Sequence, residues 1–447
     1  MTAQTGNDQL RKRGTTRALV GAAIVMAAFG TAAGAAAQAP TITAQPAAQV
    51  ERVGQRAGFN VVATGATSYQ WYMAIPNAAG KLGAPVAVPG ATGPFLITTP
   101  LTATQGGRMF SVVAKNASGS TLSKGAMLTI GPNADGSPPD SFWGDLAALP
   151  APSGQAVTVK FVNATGGAVP DANVFWSIQA TTSTGQKVNE LHSIAEEAIY
   201  TMPPVGGTRI YFYIANDKTL VGTGAKNYFD FMEVNVGFNG QNQLFFNGDT
   251  TRVDAWGLPH AFRLQCGDGT LVERGEDYGT ILEPREVTFL KYQAELGSPW
   301  NAAAQTQWPY RIGEPGGAGF GRNGPYASYY TTYINQVWAA NGLTIPKPTD
   351  FLNLTTQLPD LSAALNRHVA ETPGSFKPNG TLANTNFWQQ HPPATFYQKV
   401  PANLYARFWH ERAIANLQYA FPYDDDDSQS SDVGCVEPKS LVIAVGL

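Results

Sequence analysis

NYFDFMEVNVGFNGQNQLFFNGDTTRVDAWGLPHAFRL, residues 227–264, is the stretch on which the reading of this chain turns. Phe229-Asp230-Phe231-Met232-Glu233 has the aromatic, alternating character of a strand, and about twenty residues later Asp254 stands in the frame Val253-Asp254-Ala255-Trp256-Gly257-Leu258-Pro259. The spacing predicts Glu233 and Asp254 on separate strands, each bracketed by apolar and aromatic side chains. Such a pair suits acid/base hydrolysis of a glycosidic bond: one carboxyl stays protonated to push off the leaving sugar, while the other stays ionised to activate water or attack. Aromatic neighbours raise an acid's pKa by desolvation and offer flat faces to sugar rings. The plainer alternative is that a carboxylate in an amphipathic strand sits on its solvated face.

The chain has 447 residues, too many for one compact core, so two or more domains are expected. Only 14% of residues are charged while Gly and aromatics are abundant, a balance that suits β-rich extracellular proteins. A formal net charge of −3 and the lack of a basic stripe argue against a nucleic-acid partner. Arg11, Lys12, Arg13 and Arg17 precede the apolar run 18–29, and small residues continue to Ala37. Residues 1–37 therefore read as a secretory signal peptide, the protein as secreted, and no later segment as transmembrane. The two cysteines, Cys266 and Cys435, are expected to pair, tying the C-terminal strand to the one after Asp254; two separate buried thiols are the alternative.

Residues 40–131 read as a small β-sandwich. Residues 61–63, 69–72 and 109–114 alternate as half-buried strands, punctuated by Gly65, Gly90 and Gly106-Gly107. The Trp71 strand and the FSVVAKNASG hairpin resemble bacterial immunoglobulin-like domains, here without their inter-sheet disulfide. Such a module is expected to act as a spacer. Residues 132–154, rich in Pro and Gly, read as a linker that orders around Phe142-Trp143. From Val157 onward short strands dominate: 157–162, 173–178 and 209–214. Three amphipathic helices are then expected: 326–340 with Gly342 as its stop, 361–370 capped by Asp360, and 402–413. The last residues, 419–423 and 440–445, return to strand.

Several segments together carry a resemblance: FDFME, TTRVDAWGLP, Gly207-Thr208-Arg209-Ile210-Tyr211-Phe212, residues 401–411 (PANLYARFWHE) and residues 419–425 (YAFPYDD). They resemble, in order, glycoside hydrolase family 64, secreted bacterial β-1,3-glucanases of the thaumatin-like superfamily. The resemblance implies a mainly β protein. An immunoglobulin-like sandwich would precede a catalytic domain over residues 155–447, a thaumatin-like β-sandwich or barrel with an inserted mixed α/β subdomain at about 290–415 and a wide groove between them. It also implies Glu233 as general acid and Asp254 as general base of an inverting endo-β-1,3-glucanase that releases short oligosaccharides of the laminaripentaose type, with no cofactor. The family's acid-to-base spacing is shorter, because GFNGQNQLFFNG carries extra residues, and Asp249 competes as the base. Thr208, Arg209, Asp230, Trp256, Tyr423, Asp424 and Asp425 are candidates for lining the groove, whereas Asp426 and Asp427 read as solvated and His410 as structural. The partner would be laminarin, curdlan or fungal wall glucan, met by a monomer. The rival reading is a non-catalytic β-glucan-binding or adhesion protein.

Other chemistries find no support in the residues. Gly319-Phe320-Gly321-Arg322-Asn323-Gly324 matches G-x-G-x-x-G but follows no strand, so it reads as a loop. The five histidines lack metal-ligand spacing, and no G-x-S-x-G elbow occurs.

Overall fold

The structure, a computed structural model, describes residues 38–152, 155–182, 187–188, 190–222, 227–305, 311–355 and 358–447. Residues 1–37, expected to be a signal peptide, lie outside the described residues. Among those described, no helix is long and apolar enough to cross a membrane.

Two sheets build the centre of the molecule. The first has five strands: β1 (Val157–Asn163), β3 (Ile199–Met202), β7 (His260–Gln265), β8 (Leu271–Gly275) and β10 (Ser440–Val445), in the order β3-β1-β10-β7-β8. The second is seven-stranded and runs through β2 (Val174–Thr182), β4 (Val205–Ala215), β5 (Asn227–Phe238), β6 (Leu244–Thr250) and β9 (Val433–Val436), in that order. Alternation sets the faces. Met232, Val234 and Val236 of β5 point into the inter-sheet core with Ile210, Phe212, Phe262, Leu441 and Ile443. Glu233 and Asn235 therefore point out.

Strand β10 is buried along its whole length, as its unbroken apolar run requires. One face meets the inter-sheet core. The other, Val442 and Ala444, is covered by Trp143, which is 0% exposed. The described part of the Pro/Gly-rich segment after Gly131 is thus an ordered strap rather than a loose tether. Cys266 and Cys435 are bonded, as expected, and the bridge joins the end of β7 in one sheet to β9 in the other.

Between β8 and β9 the chain makes a helical lobe with its own core of Tyr292, Trp300, Tyr333, Trp338, Leu361, Leu365, Phe408 and Trp409. Its principal helices are α1 (Arg285–Leu296), α2 (Thr331–Asn341), α3 (Pro359–Arg367) and α4 (Leu404–His410). Helix α1 was not foreseen: it buries Arg285, Thr288 and Lys291 with its apolar residues, which blurs the amphipathic signal. Gly342 ends α2 in the left-handed conformation, φ 59°. Asp360 does not cap α3 but lies in its first turn, where its carboxylate accepts from the Leu382 N–H at 3.1 Å. Asn403 caps α4 through the Ala406 N–H. Residues 419–423 form no strand; Tyr419 makes only an isolated bridge to Thr251.

The N-terminal strands surround Trp71, 0% exposed, with Phe59, Phe110, Val112 and Leu128. This module rests directly on α1. Lys291 donates to both Glu51 of the module and Glu283, at 2.6 and 2.7 Å, with all three buried. Gly58 faces Val287 so closely that a Cβ would lie 2.7 Å from it.

Candidate active site

The outer face of the seven-stranded sheet carries a row of ionisable side chains in register. Arg209 on β4 pairs with Glu233 on β5, and Glu233 pairs with Asp249 on β6. Directly paired residues of an antiparallel ladder share a face. Beyond β6, Asp432 follows, just before Val433 pairs with Gly248, and its carboxylate accepts from Asn247 at 2.8 Å. The turn at 239–243, closed by the Asn239 N–H to the Gln243 carbonyl with Asn242 at φ 59°, fixes this register. The hairpin built by this turn puts Asp249 opposite Glu233.

Glu233 accepts from Arg209 Nε at 2.8 Å, and Arg209 Nη2 lies 2.8 Å from Glu233 Oε1 and 3.7 Å from Asp254 Oδ2. Those two distances cap the Oε1–Oδ2 separation at about 6.5 Å, which puts both carboxylates within reach of one glycosidic bond. Both carboxylates face solvent, Glu233 at 39% and Asp254 at 58% exposure. Asp249 differs: its Oδ1 is enclosed with no hydrogen-bond partner, and burial, with Glu233 and Asp432 beside it, pushes its carboxyl up to about 7. A cavity of about 440 Å³ opens over this row, bordered by Arg209, Glu233, Asn235, Asn247 and Asp249. Along the same face, Phe231 is buried under the Arg209 guanidinium at 4.1 Å, Phe229 lies under Arg311 at 4.2 Å, and half-buried Tyr211 packs beside Phe231 and Tyr213.

Asp254 is not on a strand. It sits in a bend just before Ala255–Trp256, which pairs with Ile312–Gly313 of the lobe, and its carbonyl accepts from the Glu314 N–H. The frame around it is held from behind. Asp230, expected in the groove, is 1% exposed, because β5 alternation points it inward. There its Oδ2 accepts from the Gly257 and Leu258 N–H groups at 2.7 and 3.0 Å, and Arg252 lies 3.2 Å from its Oδ1. Burial opposes its charge, but Arg252 and these donors hold the carboxyl below its ordinary value. Arg252, 0% exposed, also pairs with Glu276. Gly257 is required: a Cβ there would lie 2.0 Å from the Phe229 carbonyl oxygen.

Further expectations are revised. Trp256 is 0% exposed and stacks on Trp409, since the short strand after Asp254 turns it into the lobe core. Asp424 is 0% exposed and neutralises the equally buried Arg367, with His410 Nε2 at 2.9 Å; His410 is structural, as expected. Thr208 borders the cavity, yet its hydroxyl turns to the Gly206 carbonyl and it is 2% exposed. Tyr423 is half-buried and Asp425 exposed, and neither borders the cavity, although Asp425 helps to raise Asp432. Asp426 is not simply solvated: burial and Asp360 push it up to about 6. Tyr211, Asn235, Asn247 and Asp432 escaped the sequence reading. Period-two alternation from Glu233 was the signal for Asn235, and the hairpin register for Asn247.

The backbone is similar to solved structures. The laminaripentaose-producing β-1,3-glucanase of glycoside hydrolase family 64 from Paenibacillus barengoltzii shares 22% identity, with 91% of this chain and 100% of that chain covered at a TM-score of 0.54. The same values hold for that enzyme complexed with laminarihexaose. A β-1,3-glucanase domain of the family from Clostridium beijerinckii shares 18% identity, covering 67% of this chain and all of its own, at a TM-score of 0.53. A comparison with curated proteins found no match. The family profile for β-1,3-glucanases matches residues 155–358 and 346–445. With that match across most of the chain, the protein belongs to glycoside hydrolase family 64, the β-1,3-glucanases.

Proposed function

We propose that this protein is a secreted, monomeric endo-β-1,3-glucanase that cuts linear β-1,3-glucan by inversion, using no cofactor. The observation that carries the reading is the single guanidinium of Arg209 touching Glu233 and standing 3.7 Å from Asp254 at the rim of an open cavity. Glu233 donates a proton to the leaving glycosidic oxygen, and Asp254 takes one from the attacking water. Asp254 suits the base better than Asp249. It is exposed to water, whereas Asp249, pushed up to about 7, is substantially protonated near neutrality. Half-buried Tyr211, on the same face of the sheet, is the aromatic ring placed to meet a sugar. Laminaripentaose, named for the Paenibacillus enzyme, is the product expected here, and the N-terminal module serves as a spacer fixed to the lobe.

The test is chromatography of products from linear β-1,3-glucan treated with the mature protein, Glu233→Gln and Asp254→Asn, with NMR of the first-formed anomer. Short oligosaccharides of inverted configuration from the parent, and rates lower by about 10²–10⁴ in each variant, support the assignment. Glucan retention without products sinks it in favour of a binding protein. Full activity in Asp254→Asn removes Asp254 as the base.

A further inference from the structure

Among the described residues, Arg209 is the cation in direct contact with this outer row of carboxyls. Arg209 serves Glu233 and lies near Asp254, while Asp249 and Asp432 follow in the same row with no cation in contact among the described residues, Arg274 acting on Asp432 only at a distance. Close like charges cannot all ionise, so such a row keeps a proton. While Arg209 occupies Glu233, the enclosed, unpartnered Oδ1 of Asp249 is where that proton has its place.

We propose that Asp249 is the proton store of the general acid, holding a proton in the resting site and handing it to Glu233 when a bound sugar draws Arg209 away. The proposal rests on Glu233 being the acid. In the transfer, the Asp249 O–H bond breaks and a Glu233 O–H bond forms. Glu233 then gives that proton to the leaving oxygen, water adds to the anomeric carbon, and its proton goes to Asp254. Proton return from Asp254 through solvent to Asp249 resets the site, with no net change beyond hydrolysis. Asp249 is thus a positioning residue, acting through Glu233.

The groups facing Asp249 support this division. Enclosure opposes its ionisation most, and Glu233 and Asp432, which flank it, add to that. Arg209 and Arg252 favour ionisation but are weaker influences, Arg209 being engaged by Glu233 and Arg252 by Asp230 and Glu276. Tyr419 lies within electrostatic reach from the segment before β9, and Asp425 adds negative charge beside Asp432.

The experiment is the pH dependence of kcat/KM for linear β-1,3-glucan with the full chain and Asp249→Asn, which keeps shape but stores no proton. The expected result is an alkaline limb displaced toward acid by about one pH unit, so that the loss is roughly tenfold at neutral pH and shallower in acid. A limb that does not move, or a loss equal at every pH, overturns the proposal, the latter marking a structural role. Infrared spectra of the ligand-free protein give a second readout independent of turnover. A protonated-carboxyl band near neutral pH that vanishes in Asp249→Asn supports the store, and its absence from the parent overturns it. If Glu233→Gln stays active, the acid assignment itself has failed, which the Asp249 profile alone would not produce.

Discussion

Asp230 and Glu233 are three residues apart on one strand, and the surroundings of the two carboxylates differ in almost every respect. Inside the sheet, Asp230 and Glu276 share Arg252, with backbone N–H groups satisfying the remaining oxygens. Nothing there is open to water or short of a partner for its charge. Outside, Glu233 and Asp254 share Arg209, partly in solvent, and Asp249 beside them keeps an enclosed oxygen without a partner among the described residues. The same residue types fix a loop on one face and leave protons in play on the other. What separates them is water access and the ratio of cations and donors to carboxyls.

Breaking the inner network tests that contrast most severely. Arg252→Ala leaves Asp230 and Glu276 buried and unpaired and is expected to cost about 3–5 kcal/mol by urea denaturation, with activity lost through the 251–258 loop. The matching outer change, Arg209→Gln, is expected to alter stability by less than about 1 kcal/mol, because its partners are more than a third exposed, while kcat falls tenfold or more. Equal stability losses in the two variants would erase the distinction. The finest probe is pH. Asp249 sits above its unfolded value, so the folded state holds a proton that the unfolded chain has released, and stability from that proton is complete in acid and lost as pH rises through about 7. Asp249→Asn should therefore gain several kcal/mol on the parent between acid and mildly alkaline pH, about 1.4 kcal/mol for each unit of the rise, and a constant difference would contradict the shift.

Much of this was legible in the residues. Alternation around Met232, Val234 and Val236 gave β5 and its faces, and the apolar run 440–445 gave β10 unaltered. The same alternation turns Asp230 inward, away from any sugar, although aromatic residues bracket it and Glu233 alike. Trp256 and Asp424 were unreadable for another reason. Their burial depends on partners far along the chain, Trp409 and Arg367, which no local pattern announces. Helix α1 stayed hidden because Lys291 and Arg285 are buried by charge pairing and ring stacking, so its inner face reads as polar.

The bond between Cys266 and Cys435 closes a ring of chain with a sequence separation of 169, and the whole helical lobe lies on it. Topologically the lobe is a loop leaving and re-entering the sandwich at one covalent knot. A single peptide bond cut anywhere on that ring leaves no free fragment: the catalytic strands and the severed lobe stay one molecule until a reductant opens the knot. An enzyme released among foreign proteases would keep its two halves together after a nick that would scatter an unbridged chain.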